Sequence, residues 1–477
     1  MDAVLKIVQT VNMYLSDYIL IIMLIGCGLY FSFKTKFVQV RCFGEGWRKV
    51  FGNFSLHGGK HEGGMSSFQA LATAIAAQVG TGNIVGACGA ILVGGPGAIF
   101  WMWIIAFFGM STIYAEAVLA QKTRVVNPDG TVAGGPVYYI KKAFNNGFGK
   151  FMAGFFAVAI ILALGFMGAM VQSNSIGESC QNAFGIPSWV MGAIIAVICA
   201  FIFIGGAHRV AAVAEKLVPI MAILYVLGGL VVIICRIQYV PETFGMIFKY
   251  AFNPTAVIGG SIGFAIKQAI SQGVKRGLFS NEAGVGSAPN AAATAEVSHP
   301  VKQGLVQMLS VFIDTLLLCT CTAMMCLCSG VQPTAEMAGA PYVQAALANA
   351  LGMAGPIFIN ISMVLFAFTT LLGNFYYVDN LLTYIMNKVP SKTFMTCFRL
   401  VAAGIIWLGA GMSMSLVWDL ADVLMGVMAI INIPVICILG TPAIKALKDY
   451  TAQKAAGKNP EFKSATVGLE GKTECWE

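Results

Sequence analysis

The sequence predicts an all-α, polytopic membrane protein with about 11 transmembrane helices, and three observations predict it. Hydrophobic residues make up 58% of the 477-residue chain and charged residues 10%, against roughly 25% charged in soluble domains. Apolar runs of about 20 residues, the length that spans a bilayer, recur along almost the whole chain, which excludes a soluble enzyme on a single anchor. Strand-like alternation is absent, so the spans are helices rather than barrel strands.

Taken in order, the first span, 18–33, leads into a loop carrying Lys34, Lys36, Arg41, Arg48, Lys49 and Lys60. The second, 66–92, holds "AAQVGTGNIVG" at 76–86, where Gly80 and Gly82 flank Thr81, and Gln78 and Asn83 add polar side chains. A straight helix of this length would measure about 40 Å against a hydrocarbon core of about 30 Å. Each interior glycine costs about 1 kcal/mol relative to Ala. A break is therefore expected, its freed N–H and C=O groups facing protein or a wet cavity. Gly82 and Gly86 also form a GxxxG, so close helix packing is the alternative, but packing leaves Gln78, Thr81 and Asn83 unexplained. Span 98–119 precedes a second basic loop with Lys122, Arg124, Lys141, Lys142 and Lys150, and Glu116 near its end reads as a solvated partner of Lys122 or Arg124. Span 151–172 ends at Gln172 in "GAMVQSN", and spans 188–206 and 217–235 follow.

Span 256–296 repeats the anomaly. Its "QAISQGVKRGLFSNEAGVGSAPNAAA", 268–293, is expected to be interrupted at Gly273 and Gly277 and to continue through Phe279, Ser280, Asn281 and Glu282 to Pro289. Lys267, on its outer half, reads as a snorkelling side chain without an assigned role. Span 304–329 places Asp314 near mid-membrane, where a carboxylate costs on the order of 2.5 to 3.5 kcal/mol and marks a functional candidate. It could ligate a cation, anchor a polar network with Asn83 or carry a proton, and the network is favoured. "CTCTAMMCLC" brings Cys319, Cys321, Cys326 and Cys328 close in sequence. Residues two apart on a helix point to different sides, so these read as small packing residues rather than a metal knuckle. Span 356–386 contains "FAFTTLLGN", whose adjacent Thr369 and Thr370 read, taken alone, equally as caps of their own backbone. Spans 396–412 and 417–440 follow, and the polar tail from Lys445 is expected to lack stable structure.

Alternate loops and the tail collect nearly all the Lys and Arg, leaving Lys6, Arg236 and Lys249 on the other side. The positive-inside rule then puts the N-terminus outside and the C-terminus in the cytoplasm of a multi-pass plasma (inner) membrane protein. The net charge of +8 is thus a topology signal and not a nucleic-acid footprint. No basic n-region with an apolar core marks residues 1–17 as a signal peptide. The four His, at 57, 61, 208 and 299, fall in or beside the basic loops with no nucleophile paired to them, so an enzyme is disfavoured. Two glycine-interrupted spans, each opening a set of five, point to an inverted-repeat transporter, because an odd number of crossings makes the halves enter from opposite sides. The expected organisation is an N-terminal helix and basic loop (1–65), a first five-helix repeat (66–236), a second (256–440) and a cytoplasmic tail (441–477).

"GGPGAIFWMW" (94–103), "GGPVYYI" (134–140), "EKLVP" (215–219) and "RGLFSNEAGVGSAP" (276–289) resemble the alanine or glycine:cation symporter family, the sodium:alanine symporters, over about 15–445. The resemblance implies a leucine-transporter-like 5+5 fold with one extra N-terminal helix, Na⁺ as coupling ion, and uptake of a small neutral amino acid. Alanine, glycine and glutamine stay open. "VGTGN" resembles the break of that fold, which implies carboxylate binding at the N–H groups of Thr81 and Gly82, Na⁺ facing the carbonyls of Ala76 and Val79, and Asn83 touching substrate or ion. The same likeness implies that Thr369 and Thr370 ligate Na⁺ and that Gln172 lines the site, against a mere interfacial position. At the second interruption Gln272, Gly273, Phe279 and Ser280 are substrate-binding candidates, with Phe279 equally a packing residue. Alternating access follows, with a lipid bilayer, Na⁺ and the amino acid as partners, and a monomer sufficient. A proton-coupled transporter using Asp314 is the alternative, and a channel or receptor the next.

Overall fold

Backbone groups in lipid must be paired within their own segment, and the chain answers with helix almost throughout. The computed structural model describes residues 2–52, 65–127, 130–253, 262–386, 388, 390–412, 414–468 and 476. In chain order its helices of eight or more residues are α1 (Lys6–Lys34), α2 (Phe43–Phe51), α3 (Ser67–Gln78), α4 (Gly82–Gly94), α5 (Gly97–Thr123) and α6 (Pro136–Ala143). Then come α7 (Gly147–Phe184), α8 (Ser188–Ile204), α9 (Gly206–Cys235), α10 (Val240–Phe252), α11 (Ile262–Asn281) and α12 (Pro300–Leu327). The last are α13 (Ala340–Leu351), α14 (Ala354–Met386), α15 (Lys392–Ala410), α16 (Ser415–Ile438) and α17 (Gly440–Ala455). Among the described residues 8 helices are long and apolar enough to cross a membrane, or 9 with the bent pair α3 and α4 counted as one span. The Val125–Val126 and Val132–Ala133 pair and a Met65–Ala295 bridge are the strand pairings described.

The core lies along α5, α12 and α14, whose faces carry buried Tyr114, Leu309, Phe366 and Tyr377. In contrast α9 turns Ile220, Ile223, Leu227 and Ile234 outward, and α15 turns Val401, Trp407 and Leu408 outward, as lipid-facing helices do. Local sequence explains the starts. Ser66 Oγ accepts the Gln69 N–H at 3.0 Å to cap α3, and His299 Nδ1 accepts the Val301 N–H at 3.1 Å ahead of Pro300. Burial pushes the His299 imidazole down to about 4, although Asp449 beside it pulls the other way.

Several expectations need correction. The helix carrying Gln172 does not end there but continues to Phe184, because the small and polar run after it is buried by α15 and α14 rather than exposed at an interface. Nor is α11 interrupted at Gly273 or Gly277. It runs unbroken to Asn281, and both glycines are packing sites. A Cβ on Gly273 would lie 2.5 Å from the Ala98 carbonyl, and one on Gly277 2.5 Å from Ile105 Cγ2, so they seat α11 against α5. The break falls later, where Glu282, Gly284 and Gly286 take φ of 56°, 90° and 90°. Nor is the tail without structure. After α17, Phe462 N–H donates to the Ser298 carbonyl at 2.9 Å, and Trp476 stacks edge-on to Phe462, lies 4.8 Å from the Arg124 guanidinium and donates to the Gln121 carbonyl at 2.9 Å. Enough aromatic surface is buried to fix a polar segment. Lys60, His57, His61, the start of the expected span at 256–261 and tail residues 469–475 lie outside the described residues.

Candidate substrate and ion site at two helix breaks

The first break is three residues long. Val79 leaves helical geometry with φ −79° and ψ 96°, and α3 and α4 diverge by 52°. Its backbone groups go to side chains. The Gly80 N–H donates to Asn83 Oδ1 at 2.8 Å and the Thr81 N–H to Gln172 Oε1 at 3.0 Å. Thr370 Oγ1 donates to the Val79 carbonyl at 3.1 Å. That approach depends on glycine, because a Cβ on Gly373 would lie 2.5 Å from the Ala77 nitrogen and one on Gly80 2.8 Å from Gln172 Oε1. Thr81 Oγ1 and Gln78 Oε1 are buried acceptors with no hydrogen-bond partner among the described residues, an arrangement that normally needs a ligand or water to offset its cost.

A polar knot adjoins it. Asn83 Nδ2 donates to Asp314 Oδ1 at 2.7 Å and to Ser280 Oγ at 3.0 Å, while Ser280 and Thr315 hydroxyls donate to Asp314 Oδ2, each at 2.7 Å. Gln78 Nε2 donates to the Asn281 carbonyl at 2.6 Å, tying the end of α3 to the end of α11. Asn83 and Asp314 both sit in wider helical turns, Gly82–Gly86 and Phe312–Cys319, which tilt their side chains toward each other. Thr81, Asn83, Ser280 and Asp314 are completely buried.

The expected site residues therefore divide. Ala76, Val79, Thr81, Gly82, Asn83, Gln172, Ser280, Asp314 and Thr370 gather at the first break. Phe279 covers it, since a Cβ on Gly82 would lie 3.2 Å from its ring, and it packs on Trp418 at 4.5 Å. Beyond Trp418, Arg276 lies 4.8 Å over the indole and pairs with Asp422 at 3.2 Å, closing that end of the molecule. Thr369 turns away, donating to Met221 Sδ at 3.2 Å and the Phe366 carbonyl. Gln272 and Gly273 are apart from the group, beside Gly94 and Ala98, about 18 Å along α4 from Gly82. Lys267 donates to Tyr18 OH at 2.7 Å. Glu116 is not solvated. It is fully buried, accepting from the Gly284 N–H at 3.0 Å and from Asn432 Nδ2 at 2.6 Å. Sequence reasoning missed it because two basic residues follow closely; the signal available was Gly284 and Gly286 in "EAGVG", which announce a backbone needing an acceptor.

At the opposite end, where the basic loops and the tail meet, the Met65–Ala295 bridge joins the entry to α3 with the chain beyond the second break. Gln121 Nε2 donates there to the carbonyls of Ala292 and Ala295 at 2.6 and 2.8 Å.

Compared with known proteins, residues 1–464 match the model of the family described as the Sodium:alanine symporter family. The chain belongs to that family. It is accordingly a multi-pass membrane transporter and not an enzyme. Members similar to it include a putative sodium/proton-dependent alanine carrier protein of Bacillus subtilis, 41% identical over 483 residues and covering 98% of this chain and 97% of that one. A sodium/alanine symporter of Methanococcus maripaludis is 39% identical, covering 95% and 99%, and a probable sodium/glutamine symporter of Bacillus subtilis is 41% identical, covering 98% and 95%. Among solved structures, an Eremococcus coleocola manganese transporter shares the fold at a TM-score of 0.55 and 12% identity, over 85% of this chain and 90% of that one.

Proposed function

We propose that this symporter-family member couples Na⁺ influx to uptake of a small neutral amino acid by alternating access. The observation that carries the reading is the first break itself, where the Thr370 hydroxyl meets the Val79 carbonyl while the Thr81 N–H is held by the exchangeable Gln172 amide. Freed carbonyls suit a cation, and N–H groups at the start of α4 suit a carboxylate. In this reading the amino acid's carboxylate replaces Gln172 at Thr81 and Gly82, its ammonium meets Ser280 and Asn83, and Na⁺ sits among the Ala76 and Val79 carbonyls with Thr370. Thr369 joins only if its hydroxyl leaves Met221. Phe279 and Ser280 pack directly on Gly82, and alanine or glycine is the substrate we test first, with glutamine beside it.

Counting α3 with α4 as one crossing and adding α8 and α11 supports eleven crossings in a leucine-transporter-like 5+5 arrangement of 66–236 and 256–440. The basic loops support a cytoplasmic C-terminus. One chain holds every residue of the site, which supports a monomer as the working unit. A second reading, proton coupling through Asp314, is favoured by one observation: its hydrogen-bond partners are all neutral donors.

The test is uptake of labelled alanine and glutamine into proteoliposomes under an imposed Na⁺ gradient. Thr370→Ala is expected to raise the Na⁺ concentration for half-maximal uptake by about tenfold, the worth of one ligand, and Thr369→Ala by far less. Uptake indifferent to Na⁺ would sink the reading.

A further inference from the structure

Glu116 has no task in the transport reading, yet four stretches of chain meet at it. From α5 it accepts the Gly284 N–H and Asn432 Nδ2. Asn432, on α16, donates with the same nitrogen to the Gly284 carbonyl at 3.0 Å, and its Oδ1 accepts from Tyr139 OH of α6 at 2.5 Å. The second break is shaped to this pair. Gly284 and Gly286 hold φ of 90°, which side-chain-bearing residues rarely adopt, and a Cβ on Gly286 would lie 3.0 Å from Asn432 Cγ.

We propose that Glu116 is a positioning residue which, with Asn432, latches the second break to α16 and thereby holds the basic end of the transporter shut until the cycle reaches release. Ser280 is already fixed by Asp314 and Asn83, so the binding site does not need the latch. What the latch fixes is 282–288, the segment leading to Ala292 and Ala295, where Gln121 and Met65 close the basic end. The donor pattern is specific. In Glu116→Gln either the new amide nitrogen faces Asn432 Nδ2, or it faces the Gly284 N–H. Turning Asn432 over sets its oxygen against the Gly284 carbonyl. Each arrangement opposes like groups in a buried place. Combining Glu116→Gln with Asn432→Asp restores the match. The new carboxyl, held protonated in this buried place, donates its hydroxyl to the Gly284 carbonyl while that same oxygen accepts the new amide nitrogen, and the amide oxygen keeps the Gly284 N–H. The other carboxyl oxygen keeps Tyr139, so every group facing the second break has its partner.

The inference rests on the proposed transport activity, and its test separates the two. Purified wild type, Glu116→Gln, Asn432→Asp and the double variant are compared by equilibrium Na⁺-dependent binding of labelled alanine, by Na⁺-driven uptake at saturating alanine, and by hydrogen-exchange protection of 282–295. Each single variant is expected to lose at least about tenfold in uptake rate and the protection of 282–295, with binding within about threefold of wild type. The double variant is expected to recover most of both. Single variants that transport like wild type, binding that falls in step with uptake, or a double variant no better than the singles would overturn the latch. A wild type that fails to take up alanine would overturn the transport reading instead, and the latch would still stand or fall on the exchange protection and its rescue.

Discussion

Asp314 carries two kinds of acceptor duty. One oxygen takes Asn83 Nδ2, and the other takes two hydroxyls. Hydroxyls accept as readily as they donate, so an amide at this position keeps every bond: its oxygen serves Asn83 and its nitrogen serves Ser280 and Thr315. If Asp314 is an anchor, Asp314→Asn is expected to fold, bind alanine with Na⁺ and accumulate it within about threefold of wild type. Lost accumulation with retained exchange of bound substrate would show that the carboxyl carries a proton. The residue was legible in sequence because a carboxylate ten residues inside an apolar span is expensive wherever it lies. Glu116 was not, since Lys122 and Arg124 close behind it offered a solvent-exposed explanation that the buried contacts to Gly284 and Asn432 exclude.

At the scale of elements, the two breaks differ in how they announce themselves. Gly80, Thr81 and Gly82 combine poor helix formers with polar side chains, and the chain breaks there. Gly273 and Gly277 look alike on paper but serve the α5 contact, because local sequence does not distinguish a glycine that frees backbone from one that admits a neighbouring helix. Gly373 belongs to the second kind, bringing α14 onto Ala77 so that Thr370 reaches Val79. Gly373→Ala forces the helices apart. Overpacking of this sort costs about 1 to 3 kcal/mol, so a lower thermal midpoint in detergent and a raised Na⁺ half-saturation are expected together. Gly404→Ala on α15, where a Cβ would meet nothing within 4 Å, is the control and should leave both unchanged. The tail was misjudged for a related reason: polar composition predicts solvation, but a few aromatics such as Phe462 and Trp476 suffice to dock it.

For the molecule as a whole, a zwitterionic substrate adds no charge, so each coupled Na⁺ carries one net charge inward and gains about 2.3 kcal/mol per 100 mV. Alanine uptake should therefore quicken when a potassium diffusion potential makes vesicles negative inside, and a transport current should accompany it. Equal rates at zero and negative potential would contradict the coupling. The completely buried site also bears on throughput. With Arg276, Trp418 and Phe279 stacked over one side and Met65, Ala295 and Gln121 joined on the other, the site is closed to both faces among the described residues. Under the proposed alternating access, delivery would proceed one load per rearrangement, and such rearrangements take microseconds to seconds. A cell relying on it would raise its intake chiefly by inserting more copies, making membrane area the scarce resource.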